Sequence, residues 1–210
     1  MLWGARTLAA MNELTAPDLQ TVLTFVPSLA LAIGLAASAG LRAWLPLLAT
    51  SVLARLDVLQ LGDSFAFMSS TPAIVLFAIA TVLEIVADKV PALDHGLDAI
   101  STVVRPLAAT LLAGSVMFQI HDPLWALALG LMVGAPTALV PHAAKSGVRV
   151  ASSATTAGVG NPVLSVAEDA SAVGMIALAV VVPVVAAVAV IVVGVFAVRW
   201  WLRRRAPSAP

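Results

Sequence analysis

Between Asp169 and Arg199 the chain carries no charged residue, and the same is true between Asp18 and Arg42 and between Arg105 and Asp122. Runs of that length leave few folds open. A helix needs about 20 apolar residues to cross a hydrocarbon core of roughly 30 Å. A spanning strand would instead alternate apolar and polar residues. The chain is 61% hydrophobic and 10% charged, against about a quarter charged in an ordinary soluble domain. The sequence therefore predicts an all-α, polytopic transmembrane helical bundle of about six spans, with broken or kinked helices.

Taken in order, residues 1–20 read as an N-terminal tail marked by Arg6, Glu13 and Asp18, residues 21–202 as a single transmembrane helical domain, and residues 203–210 as a cytoplasmic tail. The expected spans are Thr21 to Ala39, a short stretch Leu41 to Leu56 after a break at Gly40, Pro72 to Val90, Asp94 to Phe118, Pro123 to about Pro141, and Ala172 to Val198 with Pro183 inside it. Leu41 to Leu56 covers only about 24 Å as a helix, so it is either a short tilted span or half of a broken one. Ala37-Ser38-Ala39 has the small-residue form of a signal-peptidase site, but Asp18 lies just before the run and the nearest cation is back at Arg6, which favours a retained helix. Asp57 to Thr71 reads as an interfacial loop, with Phe65, Phe67 and Met68 in the headgroup region. His142 to Asp169 reads as a second polar region broken between Thr156 and Pro162, where Asn161 suits an N-cap and Pro162 the first helical position.

The densest polar stretch runs from Glu84 to Pro106, EIVADKVPALDHGLDAISTVVRP. An ionisable group at the centre of a bilayer costs about 2.5–3.5 kcal/mol on insertion scales, so pairing, water or a ligand must offset it. Asp94, Asp98 and Arg105 fall on one helical arc, as do His142, Lys145 and Arg149 on another. The positive-inside rule puts Arg199 to Arg205 in the cytoplasm. Six spans then put both termini inside a bacterial cytoplasmic membrane, and place the Gly40–Arg42 hinge, the Lys89–Asp94 turn and the His142–Asp169 region together on its other side. The acids there (Glu84, Asp88, Asp94, Asp98, Glu168, Asp169) nearly balance the bases (Arg42, Lys89, Arg105, Lys145, Arg149), with His95 and His142 able to titrate. With Asn161 at the helix break, these residues form the candidate set for binding a substrate or ion around one shared cavity. A purely structural clasp of paired charges is the plainer reading of the same residues.

Several of these pieces together resemble an uncharacterised bacterial family of small integral membrane proteins, a domain of unknown function. They are Gly40-Leu41-Arg42-Ala43 with Pro46, Ala87-Asp88-Lys89-Val90-Pro91 with Asp94-His95 and Asp98, Arg105-Pro106, Ala154-Thr155-Thr156, and Gly160-Asn161-Pro162 with Glu168-Asp169. The resemblance covers Ala30 to Val181. It implies a membrane fold and supplies no activity.

On these grounds the favoured function is a transporter or channel for an ion or small polar solute, since broken helices beside charged groups are a device of transporters. One alternative is an accessory or structural membrane subunit, with Gly130 and Gly134 suited to close helix contact, within a homo-oligomer or otherwise. Another is a metal-dependent membrane enzyme acting on a lipid or phosphorylated substrate, in which Asp88, Asp94 and Asp98 supply oxygen ligands. An enzyme is the less favoured class, because no Ser-His-Asp arrangement or HExxH motif is present. The sequence requires no cofactor, although a bound cation is compatible with it. The expected partners are the lipid bilayer and a small solute or ion. Zero formal net charge argues against nucleic acid, and the absence of cysteine excludes disulfides and thiolate metal sites.

Overall fold

The computed structural model describes residues 19–89 and 91–205; of these, the side chains of residues 19–23, 91–99, 184–188, 190, 191 and 205 lie outside the description. The described residues form seven α-helices and one 3-10 helix: α1 Leu19–Leu41, α2 Trp44–Arg55, the 3-10 helix Asp63–Ser69, α3 Thr71–Ala87, α4 Pro91–Val116, α5 Pro123–Thr156, α6 Asn161–Val181 and α7 Pro183–Arg205. No strand occurs among them. Helices α1, α5 and α6 are long and apolar enough to cross a membrane, and the bent pair of the 3-10 helix and α3, at 63°, makes a fourth if it counts as one span. The six expected spans are not reached on this measure. The N-terminal tail residues Arg6, Glu13 and Asp18, Val90 of the third predicted span, and the chain beyond Arg205 fall outside the described residues.

Three helices pack tightly through small side chains. A Cβ on Gly40 of α1 would fall on the backbone carbonyl of Ala138 in α5, and one on Gly134 would fall on that of Ala109 in α4. Helices can approach this closely only where a side chain is missing, which is how apolar helices gain packing energy without a hydrophobic drive between them. Leu35, Leu112, Val116, Met117 and Met68 are buried around this contact. The far end of the bundle is closed by neutral hydrogen bonds. Gln119 Nε2 donates to Ser28 Oγ at 2.8 Å and to the Thr24 carbonyl at 3.0 Å, and the Gly62 amide donates to the Ser115 carbonyl at 2.9 Å.

Several boundaries differ from the sequence reading, each for a local reason. Gly40 does not break the first helix; it lies within α1, and the chain turns at Arg42–Ala43. Its role is the close approach to Ala138. Phe65 and Met68 are not turned outward; the 3-10 helix points both into the core and leaves Phe67 exposed. The fifth helix does not end near Pro141 but runs on to Thr156, past Pro136 and Pro141 alike. Each removes one backbone hydrogen bond, yet α5 keeps one continuous buried stripe through both: Ala126, Gly130, Gly134, Ala138, His142, Lys145 and Arg149. Pro183, by contrast, does divide the last predicted span, because Val182 adopts a non-helical backbone and α7 starts anew. The placement of the arginine-rich end opposite the polar regions rests on that span being whole. In the structure Trp200, Trp201 and Arg204 share a cavity wall with Gly147 and Ala151 of α5.

Candidate functional site: a buried charge network

The stripe on α5 changes character along its length. Its first half is small and apolar and packs on α1 and α4, while its second half presents His142, Lys145 and Arg149, all buried. Facing them are Asp88, just past the end of α3, Arg42 at the α1–α2 turn, and Ser165, Glu168 and Asp169 on the first turns of α6. A spacing of three to four residues brings these α6 side chains onto one face.

Asp88 is the centre. Its Oδ2 receives Arg42 Nη1, Lys145 Nζ at 2.9 Å and Arg149 Nη2 at 3.1 Å. Three cations, two from α5 and one from the α1–α2 turn, thus converge on one carboxylate oxygen. Burial alone pushes the Asp88 carboxyl up, but Lys145, Arg42 and Arg149 together outweigh this and hold it below the ordinary carboxylate range. Glu168 balances the other side of the same bases. Its two oxygens take Arg149 in a bidentate pair, Nε to Oε1 and Nη2 to Oε2, both at 3.0 Å, a geometry that matches a guanidinium to a carboxylate. Lys145 Nζ reaches Glu168 Oε2 at 2.9 Å. Arg42, which has no solvent exposure, also donates to Ser165 Oγ at 2.9 Å and sets its Nε 2.6 Å from Asp169 Oδ1. Lys89, more exposed, meets the other oxygen of Asp169 at 3.2 Å.

A second group lies beside the first. Arg105 is buried and donates from Nη1 to the Gly40 carbonyl at 2.8 Å; the same nitrogen stands 3.0 Å from His142 Nδ1. An arginine cannot accept, so Nδ1 must, and the neutral ring carries its proton on Nε2. Glu84 Oε1 is 4.0 Å from Arg105. Glu84 also serves a helix start, because its two oxygens accept the amides of Ala43 at 3.0 Å and Trp44 at 3.2 Å. These are first amides of α2, whose own N-cap residue, Ala43, offers no side-chain acceptor. A carboxylate from another helix therefore caps α2 at the positive end of its dipole.

Of the residues singled out from the sequence, Arg42, Asp88, Lys89, Lys145, Arg149, Glu168 and Asp169 make one connected ion-pair network, with Arg105, His142 and Glu84 next to it. Asn161 stands apart: its Nδ2 donates to Ser153 Oγ at 3.0 Å, and the residue before α6 is Gly160, not Asn161. The side chains of Asp94, His95 and Asp98 lie outside the described residues. Ser165 is visible in the sequence beside Glu168 at helical spacing, but nothing there marks its hydroxyl as a ligand of Arg42. The charges pack against one another, and two of them, Lys145 and Glu168, also stand in the wall of a cavity of about 460 Å³ that is otherwise apolar apart from Ser171. Among the described residues no group of three or more His, Asp or Glu side chains is arranged to hold a metal.

A family model described as Domain of unknown function (DUF4126) matches residues 29–203. The chain belongs to this family. The DUF4126 match takes in every member of the charge network and runs on through most of α7, beyond the stretch that the motifs alone cover. No curated protein and no solved structure matches the chain.

Proposed function

We propose that this DUF4126 protein is an integral membrane protein that carries or conducts an ion or small polar solute, and that the Asp88-centred network is where the solute enters. The observation behind this reading is the convergence of Arg42, Lys145 and Arg149 on Asp88 Oδ2. Three cations held around one carboxylate make an anion site with a protein carboxylate as its resident anion. A clasp needs less than this. Buried ion pairs are weak contributors to stability, and apolar residues of similar volume often serve as well or better, so a cluster of this size in an apolar bundle favours use over scaffolding. Chain breaks at Arg42–Ala43 and between Thr156 and Asn161 flank the network, as expected where helix ends act on a passing solute.

The test is flux in proteoliposomes, with a panel of small inorganic and carboxylate anions and with protons as the coupling ion. Wild-type protein should raise flux of at least one of them above empty vesicles, and Asp88→Asn should abolish or rectify that flux in protein that still elutes as a single species. Wild-type vesicles as tight as empty ones across the panel would reduce the network to a clasp. Orientation has its own check. The positive-inside rule supports a cytoplasmic Arg199–Arg205, and the cavity shared by Arg204 and Ala151 supports having the network toward that same side. Leu19 begins α1, whose first turns lie with Gln119 at the far end, which favours opposite sides for the start of α1 and the end of α7. Cysteines at positions 153 and 203 should then react with an impermeant reagent from one side; opposite-side labelling would restore the six-span arrangement.

A further inference from the structure

A largely apolar crevice runs along α5 beside α7. One part, about 460 Å³, lies between α5 and α6, has Val140, Ala144 and Val148 of α5 in its wall together with Lys145 and Glu168, and reaches Ala189 and Val193 of α7. A second, about 800 Å³, shares those three α5 residues and continues to Gly147, Trp200, Trp201 and Arg204. Helices α7 and α5 come together at Gly194, where a Cβ would make ordinary contact with Val140 at 3.8 Å, while a Cβ on Gly147 would meet nothing within 4 Å. The crevice is therefore closed at Gly194 and open at Gly147.

Its mouth is basic. Every charge on α7 is an arginine, at 199, 203, 204 and 205, and the helix has no acid. The Arg204 guanidinium lies over the Trp200 ring at 3.8 Å from its centroid. Stacking uses the face of a guanidinium and leaves its N–H edge to meet an acceptor. Trp and Arg at the end of an apolar helix mark the headgroup level of a bilayer, and basic sites between helices at that level attract anionic headgroups.

We propose that this crevice seats an anionic phospholipid drawn from the surrounding bilayer, with an acyl chain along Val140, Ala144 and Val148 and the phosphate on Arg204, at a helix end whose other charges are also arginines. Charge decides the headgroup class. A zwitterionic lipid carries no net charge to set against the arginines, whereas an anionic one does. The crevice decides the depth, since a headgroup held only by surface arginines would leave the apolar walls unfilled. The inner part of the site borders the Asp88 network at Lys145 and Glu168, but the proposal stands whether or not solute is transported.

The full chain is placed in nanodiscs holding equal amounts of phosphatidylglycerol and phosphatidylcholine, extracted into neutral detergent, and read by native mass spectrometry. Wild-type protein should retain phosphatidylglycerol over phosphatidylcholine by about fivefold or more. The combined Arg199→Gln, Arg203→Gln and Arg204→Gln variant changes only exposed side chains, so it should fold, and its ratio should fall to about one. Gly147→Phe fills the crevice from a position with free space around it and should cut retention of both lipids by about threefold or more. Equal retention of the two lipids by the wild type, a preference that survives the triple substitution, or unchanged retention in Gly147→Phe would each overturn the proposal. So would a dimer that Gly147→Phe dissociates without altering bound lipid, which would make a second copy the occupant.

Discussion

The two ends of this bundle are closed by different chemistry. At one end Arg42, Asp88, Lys145, Arg149, Glu168 and Asp169 hold α1, α3, α5 and α6 together through charge. At the other, Phe65 and Met68 fill the space under the 3-10 helix, and Gln119, Ser28 and the Gly62 amide make neutral hydrogen bonds. The second end is what an apolar bundle needs in order to close. The first is more than it needs, and its members depend on one another: removing one leaves others buried and unmatched. The far end gains independently from each contact it makes.

That difference is open to direct attack. The largest effect should come from Asp88→Leu, which strands three cations and should cost about 3–5 kcal/mol of stability, read as lost folded yield and a lowered melting temperature in detergent. Phe65→Ala should cost a comparable amount, about 3–5 kcal/mol, by leaving a cavity. The two should part company on a second substitution. Lys145→Met should recover part of the loss in the Asp88→Leu background and add to it in the Phe65→Ala background, because coupling is confined to residues that share partners. Additive losses in both would mean the charged end is no more cooperative than the apolar one.

A double-mutant cycle sharpens the contrast at the level of pairs. Arg149→Gln with Glu168→Gln should show a coupling of about 1.5–3 kcal/mol, in the range of charge-assisted hydrogen bonds. Gln119→Ala with Ser28→Ala should show about 1 kcal/mol or less. Acid should separate the ends as well. The Asp88 carboxyl is held lower in the folded protein than in the unfolded chain, so its stabilising contribution is complete above the ordinary carboxylate range and is lost as pH falls through the depressed folded value. Hydrogen exchange should therefore quicken in the first turns of α2 and α6 before it does in the 3-10 helix. The reverse order would remove Asp88 from its central place. The smallest effect should come from Ala157, which holds a left-handed backbone with φ 51° at the end of α5. Ala157→Gly relieves that strain and should stabilise by about 1 kcal/mol.

The apolar runs make the helical class legible, and the charged residues make most of the network legible as a set. Helical spacing is enough to put His142, Lys145 and Arg149 on one face and Ser165, Glu168 and Asp169 on another. Proline is the least reliable guide. Pro136 and Pro141 look in sequence like Pro183, but α5 carries its buried stripe past the first two, whereas nothing comparable holds Val182 in a helix. The sequence points to charges around a cavity because it gives only their number and balance. Whether such groups face water or each other depends on distances of about an ångström or two, set by how closely Gly40 and Gly134 let the helices approach. The role of Glu84 is hidden for a related reason: the helix it caps begins some forty residues earlier in the chain.

That cap bears on how the protein is made. When α2 emerges from the ribosome, the carboxylate that will satisfy the amides of Ala43 and Trp44 has not been synthesised. Until Glu84 follows it out and is brought alongside, a helix of 12 residues has no acceptor for its first amides and little length with which to hold itself in an apolar phase. The α2–α3 pair is therefore best delivered to the membrane as one hairpin, released sideways only when its second arm is complete. A chain stalled between Arg55 and Glu84 should be a poor substrate for insertion and an early target for quality-control proteolysis.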